Sequence, residues 1–203
     1  MDKSFVFAST ILLFMLMDPF GNLPIFLSLL RDTPRERFYR VVLRECLLAL
    51  LAMLLALAVG RSFMKLMHIS TPVLGIAGGL ILLLMGIKMV FSGFTQEELF
   101  HPGEQLLVPL AIPLICGPGI IAMLVTIRGS SSAATFLNCA AAVFFAWIIQ
   151  TLILLAGKKI AAVLGVKLLD ALESLMGLLL SCVAVGMLIE GINRIYGLAT
   201  PGL

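Results

Sequence analysis

The stretch Met17-Asp18-Pro19-Phe20-Gly21-Asn22-Leu23-Pro24-Ile25-Phe26 lies inside a long apolar run, yet it contains an acid, two prolines, a glycine and an asparagine. Proline removes a backbone N–H and its ring clashes with the preceding helical turn, so a helix cannot run through it undisturbed. Glycine loosens the backbone at the same place. The stretch therefore predicts an interruption in an otherwise apolar helix.

The composition of the whole chain indicates the environment in which this interrupted helix lies. The chain has 203 residues, of which 61% are hydrophobic and 12% are charged, and its mean hydropathy is +1.15. A soluble domain of this size cannot bury so much apolar surface, and the apolar blocks are too long and continuous for a β-barrel. We therefore predict an all-α polytopic membrane protein in contact with the lipid bilayer. The basic residues lie in short loops, so the net charge of +3 gives no reason to expect nucleic-acid binding.

The apolar blocks predict six transmembrane helices. We treat the first as a retained span and not a cleaved signal peptide, because the apolar run resumes after the interruption. We expect a charged loop over residues 31–40, a stop for the second span at Gly60-Arg61 and a short amphipathic piece over residues 62–69. The predicted spans cover about residues 4–30, 41–59, 72–91, 107–127, 133–156 and 172–192.

The two halves of the chain resemble each other in their prolines and glycines. Pro19 and Pro24 match Pro113 and Pro118 at an offset of 94 (113 − 19 and 118 − 24). Gly60-Arg61 matches Gly157-Lys158 at an offset of 97, and Gly79 matches Gly177 at an offset of 98. A repeat of three spans crosses the membrane an odd number of times, so the second repeat must enter the membrane in the inverted orientation. We predict a single transmembrane domain, residues 1–203, with one repeat over about 1–95 and the other over about 104–197. Helices one and four of this domain are predicted to be broken near the membrane interior.

Loop charge predicts the orientation. The loops after the first, third and fifth spans hold seven basic residues, against five on the opposite side. Because basic loops face the cytoplasm, we expect both termini on the periplasmic side.

Asp18 is the sharpest candidate for a functional residue. It lies about fourteen residues into the first span, which is roughly 20 Å into a hydrocarbon core of roughly 30 Å. An ionisable group at that depth is costly and usually functional, so Asp18 could bind a coupling proton, a cation or a substrate amine. It could also cap the half-helix that begins at Pro19, since Asp followed by Pro is a good N-cap and N1 pair. The two roles are compatible.

The other candidates follow from the two interruptions. A broken helix leaves backbone N–H and C=O groups unpaired at depth, where they are tolerated only if they line a cavity or are buried in protein. Two such breaks, related by inversion, would face one site, although packing kinks in a passive bundle remain the alternative. The predicted substrate- or ion-binding set is Asp18, Pro19, Gly21, Asn22, Pro24, Pro113, Gly117, Pro118 and Gly119. Lys88, Gln150 and Glu190 are candidates for ion pairing or coupling, while Lys88 and Gln150 could instead snorkel or bridge helices.

Several motifs resemble those of the MarC family of bacterial inner-membrane proteins. They are Asp-Pro-x-Gly-x-x-Pro-x-Phe at residues 18–26, Pro-Leu-Ala-Ile-Pro-Leu at 109–114, Gly-Pro-Gly at 117–119, Gly-Ile-Lys-Met at 86–89 and Leu-Glu-Ser-Leu-Met-Gly at 172–177. The resemblance implies a multi-pass protein of the bacterial inner membrane, similar to the LysE-type amino-acid exporters. Members of the family often have Asn where this chain has Asp18, which implies that a negative charge there is not required throughout the family.

These observations lead to one functional expectation and two alternatives. We expect a secondary transporter or exporter of small neutral amino acids or similar zwitterions, coupled to a proton or another cation. The alternatives are a lipid or polyprenyl-phosphate translocase and a non-transporting membrane scaffold. We expect no enzymatic activity, no cofactor and no metal site, because the chain lacks paired deep acids and ligand spacings. The glycines of the third span, which permit close helix contact, suggest either a homodimer or internal packing.

Overall fold

The computed structural model describes residues 2–30, 34–91, 116–127 and 133–197, and all the regular structure in these ranges is α-helical. The helices are α1 (Lys3–Met17), α2 (Pro19–Leu29), α3 (Arg35–Leu66), α4 (Thr71–Val90), α5 (Pro118–Ile127), α6 (Ala133–Leu155) and α7 (Gly157–Tyr196). The predicted all-α class is therefore confirmed. Most of the fourth predicted span, including Pro113, lies outside the described residues.

Five segments of the described ranges are long and apolar enough to cross a membrane. They are Lys3–Pro24, Glu36–Leu66, Thr71–Val90, Thr135–Leu155 and Lys167–Tyr196. Helix α5, with 10 residues, is about 15 Å long and could cross only half of the hydrocarbon core by itself. The fourth predicted span, and with it the count of six, depends on residues before α5 and stays a prediction.

Two predicted helix boundaries are wrong. Helix α3, which starts at Arg35 directly after Pro34, continues through Gly60-Arg61 to Leu66 without the predicted stop. A glycine in a helix interior costs only about 1 kcal/mol, and arginine and lysine are good helix formers, so neither residue type ends the helix. Gly60 instead allows close packing, because a Cβ atom there would lie 2.5 Å from Cγ2 of Val125 in α5. Helix α7 likewise extends N-terminally beyond the predicted sixth span, with a bend at Gly165, where φ is +71°.

Helices α4 and α7 form a close contact through small residues. A Cβ atom on Gly79 of α4 would lie about 3 Å from Ala184, Met187 and Leu188 of α7. A Cβ atom on Gly177 of α7 would meet Gly86, Met89 and Val90 of α4 within 3.1 Å. Adding 98 to 79, 86, 89 and 90 gives 177, 184, 187 and 188, so the two sets of contacts are equivalent under the offset seen in the sequence. The glycine face of α4 is thus used within the chain, which was the alternative to a homodimer interface.

The remaining helices surround this pair. Helix α1 packs on α6, α3 packs on α5 and α6, and α2 packs on α7. The indole Nε1 of Trp147 in α6 donates a hydrogen bond of 2.7 Å to the carbonyl of Cys46 in α3. This packing brings the end of α1 and the start of α5 to the middle of the helix assembly, beside α4 and α7.

Candidate functional site

Asp18 separates α1 from α2 by adopting a left-handed conformation, with φ of 43° and ψ of 69°. Its N–H donates to the carbonyl of Met15, which ends α1, and Pro19 then begins α2 with its missing N–H at a position that has no helical partner. A left-handed conformation is uncommon for residues other than glycine, although Asp tolerates it better than most. We call residues 17–22 the Asp18 turn.

The carboxylate of Asp18 caps the helix that follows. Its Oδ1 accepts a hydrogen bond of 3.1 Å from the N–H of Gly21, while its backbone carbonyl accepts one of 3.1 Å from the N–H of Asn22. This is the N-cap arrangement, in which a side-chain oxygen satisfies a free N–H of the first turn. The capping role considered for Asp18 is therefore present in the structure, and the residue is buried, with 9% of its surface exposed.

Gly21 is the residue that makes room for this cap. A Cβ atom on Gly21 would overlap Oδ2 of Asp18 and would lie 2.6 Å from Cε of Met89 in α4. Pro19 and Gly21 are both buried in the turn, and Pro24 is half-buried within α2.

Gly21→Ala should lower the melting temperature of the purified protein, because overpacking of this kind costs about 1–3 kcal/mol. Gly75→Ala is the matched control, since a Cβ atom on Gly75 of α4 would meet nothing within 4 Å. The control should be neutral or slightly stabilising, because alanine is the better helix former. Equal melting temperatures for the two variants would contradict the geometry of the Asp18 turn.

The carbonyl of Met17, which the turn removes from the regular helical pattern, accepts hydrogen bonds from two side chains. Nδ2 of Asn22 donates to it at 2.8 Å, and Nε2 of Gln150 in α6 donates at 3.4 Å. Gln150 is fully buried, and its Oε1 has no hydrogen-bond partner among the described residues. Gln150 of α6 therefore contacts the Asp18 turn, although 133 residues separate it from Met17 in the sequence.

The second turn, residues 116–119, differs from the first at its cap. Helix α5 begins at Pro118, and the carbonyl of Gly117 accepts hydrogen bonds from the N–H groups of Ile120 and Ile121 at 3.0 and 3.3 Å. The residue before the helix is a glycine and has no side chain that could cap the free N–H groups. Helix α5 thus keeps the partial positive charge of its N-terminus, whereas α2 carries a carboxylate on its own N-terminus.

One small cavity is lined by both turns. Asp18 and Asn22 border it from the first turn, and Gly117 and Gly119 border it from the second. Leu82 of α4 and Leu180 of α7 close two of its sides, and their numbers differ by 98, the offset that relates the α4 and α7 contacts. The cavity has room for about one water molecule. Neither leucine stood out in the sequence, although the offset of 98 pairs them.

The two charged residues considered for ion pairing, Lys88 and Glu190, lie away from Asp18. Lys88 is exposed on α4 and forms no ion pair within the described part of the chain. Glu190 pairs with Arg194 at 2.5 Å and borders a second hollow that does not include Asp18. Among the described residues, Asp18 itself forms no ion pair, and Glu173 of α7 is near enough for its negative charge to act on that of Asp18. The sequence placed Glu173 at the start of a span without relating it to this site.

Another buried acid shows a different arrangement. Glu45 of α3 has no exposed surface, and its Oε1 accepts hydrogen bonds of 3.0 and 2.7 Å from Nε and an Nη of Arg44. The guanidinium of Arg44 is half-exposed, so it can reach the edge of the helix bundle while its charge balances that of Glu45. The chain therefore pairs one buried acid with a cation and leaves Asp18 without one in the described structure.

The fold and the site together define the class of protein to which this chain belongs. Long apolar helices packed through small residues around an interior acid make this chain a multi-pass α-helical integral membrane protein. Residues 3–196 match the family described as "MarC family integral membrane protein", and the chain belongs to this family. The resemblance of the motifs to MarC proteins is thus confirmed.

Curated relatives agree with this assignment along almost the whole chain. The chain is 37% identical over 190 residues to the "UPF0056 inner membrane protein YhgN" of Escherichia coli K12, an alignment that covers 93% of this chain and 96% of that protein. It is 38% identical over 189 residues to a "UPF0056 membrane protein" of Buchnera aphidicola from Acyrthosiphon pisum, with the same coverage. A relative from Chlamydia muridarum is 30% identical over 197 residues, covering 95% of each chain. No solved structure matches the chain. The similarity to YhgN agrees with the motifs at 86–89 and 172–177, which resemble those of the YhgN-like branch of the family in particular.

Proposed function

We propose that this chain is a secondary transporter of small zwitterions, with neutral amino acids as the first candidates, in the bacterial inner membrane. The observation that carries the proposal is the cavity shared by the two turns, which joins the Asp18 carboxylate to the N-terminal end of α5, where the preceding residue is a glycine. The location follows that of the E. coli relative, which is an inner membrane protein. The proposal includes no enzymatic step.

The two turns offer opposite charges to a substrate. The carboxylate of Asp18 suits an ammonium group, and the partial positive charge at the N-terminal end of α5, near Gly119, suits a carboxylate. The N-terminus of α2, near Asn22, would by the same reasoning suit a carboxylate, but Asp18 already caps it and would repel an anion. A zwitterion therefore fits best with its ammonium group towards Asp18 and its carboxylate towards Gly119.

The transport movement that we propose relies on two inverted repeats. The equivalent contacts of Gly79 and Gly177 support an approximate two-fold relation between α4 and α7. The pairing of α2 with α7 and of α5 with α4 agrees with the same relation. In this proposal the first and fourth of six membrane helices are broken at the two turns, and the termini lie on the periplasmic side.

The size of the cavity requires the two halves to move. A space for about one water molecule cannot hold an amino acid. We propose that the repeats rock against each other about the α4–α7 contact, and that Leu82 and Leu180 part on opposite sides of the cavity in turn. The residues that line the cavity include no lysine or arginine in the described part of the chain, so a phosphate headgroup is a poorer fit than a zwitterion.

Flux measurements in proteoliposomes test the proposal. Purified protein should accelerate the uptake of radiolabelled glycine and alanine over that of protein-free liposomes. Asp18→Asn should lower the flux about tenfold or more, because a hydrogen bond to a charged group contributes about 1.5–3 kcal/mol. Asparagine is also a good N-cap residue, so this variant should keep its fold.

Asp170→Asn is the matched control, because Asp170 is an exposed acid on α7 and should not affect the flux. Equal uptake with and without wild-type protein would remove the transport proposal for these substrates. Wild-type flux in Asp18→Asn would remove only the role of Asp18.

A further inference from the structure

The Asp18 turn has an excess of negative charge. Asp18 contributes a carboxylate that forms no ion pair among the described residues. The partial negative charge at the C-terminus of α1 and the partial positive charge at the N-terminus of α2 largely offset each other at this turn, so the carboxylate remains unbalanced. Glu45, the other fully buried acid, is balanced by Arg44 at 2.7 Å. The deficit of positive charge is therefore a particular property of this turn.

The same place has oxygen atoms that lack sufficient donors. Oε1 of Gln150 is buried without a partner, and an unpaired buried oxygen is costly in the interior of a membrane protein. The hydrogen bond from Nε2 of Gln150 to the Met17 carbonyl is long, at 3.4 Å, so turning the amide to present Oε1 to a cation would give up only this one weak hydrogen bond, with Nε2 taking the position in which Oε1 now has no partner. Oxygen atoms of carbonyls, amides and carboxylates are the ligands of hard cations.

We infer that the Asp18 turn binds one monovalent cation, with Na⁺ as the first candidate, held by the Met17 carbonyl and Oε1 of Gln150 beside the Asp18 carboxylate. A carbonyl at the C-terminal end of an interrupted helix is a common ligand for Na⁺ in transporters. A divalent ion fits less well, because no group of three or more His, Cys, Asp or Glu side chains comes together in the described ranges.

The cation would also balance the negative charge of Asp18, which a zwitterionic substrate cannot balance. This step rests on the proposed function, whereas binding of the cation does not. A zwitterion brings no net charge, so the Asp18 charge stays unbalanced when the substrate binds. One monovalent cation bound with one zwitterion makes the site neutral, which would couple the two during transport.

The melting temperature of the purified protein in detergent tests the inference without substrate. We compare NaCl, KCl and N-methyl-D-glucamine chloride at equal ionic strength and pH 8. NaCl should raise the melting temperature in a saturable manner, since a ligand of the folded state stabilises it by mass action. Gln150→Ala should lower the apparent affinity for Na⁺ about tenfold or more. Gln150→Met, which retains the volume of the side chain, should do the same and serves if the alanine variant is unstable.

Thr151→Val is the matched control, because it removes the other buried oxygen without a hydrogen-bond partner, on the same helix, and should keep the response to Na⁺. An equal melting temperature in all three salts would overturn the inference. In that case either a buried water binds Oε1 of Gln150 or a proton balances the charge of Asp18. An unchanged response to Na⁺ in both Gln150 variants would overturn the assignment of the site. Failure of the flux assay would leave this result intact, because the binding measurement uses no amino acid.

Discussion

Gly177→Leu should prevent most of the protein from folding, or lower its melting temperature by about 6–12 °C if a folded fraction remains, for a cost of about 3 kcal/mol. The physical reason is the closeness of α4 and α7. A Cβ atom at Gly177 would lie 2.6 Å from Cβ of Met89 and 2.8 Å from the carbonyl oxygen of Gly86, and neither the backbone nor a Cβ atom can move without moving the helix. The longer leucine side chain would force the two helices apart.

Gly186→Leu is the matched control for this prediction. Gly186 lies nine residues further along α7, and a Cβ atom there would meet nothing within 4 Å. The control should keep the yield and melting temperature of the wild type within a few degrees. Size-exclusion chromatography in detergent and thermal unfolding measure both properties. Equal behaviour of the two variants would contradict the α4–α7 contact on which the proposed movement depends.

Local chemistry explains why the Asp18 turn could be predicted from the sequence. Asp followed by Pro ends one helix and starts the next for reasons that involve only neighbouring residues, and the structure ends α1 at Met17 and starts α2 at Pro19. The stop predicted at Gly60 failed because glycine serves two purposes. A glycine can end a helix or bring two helices together, and only the position of Val125 decides between these outcomes.

Contacts between distant residues explain what the sequence did not reveal. The link from Gln150 to the Met17 carbonyl depends on the packing of α6 against α1, which no local pattern predicts. The same holds for Glu173, which reaches the vicinity of Asp18 only because α2 packs on α7. Leu82 and Leu180 are leucines in leucine-rich helices, so the offset of 98 could single them out only after Gly79 and Gly177 had been shown to form equivalent contacts.

Leu82→Cys and Leu180→Cys should both react with a membrane-impermeant thiol reagent, although both leucines are buried in the structure. The two residues border the cavity from α4 and α7, and the proposed movement opens this cavity to water on each side of the membrane in turn. A thiol reacts as the thiolate, which forms readily only where water reaches it. Each cysteine is introduced into a chain in which the four natural cysteines, Cys46, Cys116, Cys139 and Cys182, are replaced by alanine.

The matched controls are Leu84→Cys on α4 and Leu178→Cys on α7, whose side chains are exposed on the outer surface of the helix assembly, where lipid surrounds it. Labelling in right-side-out and inside-out membrane vesicles tests the central claim, a cavity that is shared by the two turns and opens to either side of the membrane. The account predicts labelling of the cysteines at 82 and 180 in both kinds of vesicle, slowed by bound glycine or alanine, and little labelling at 84 and 178. The account would be contradicted if, in both kinds of vesicle, the cysteines at 82 and 180 were as unreactive as those at 84 and 178.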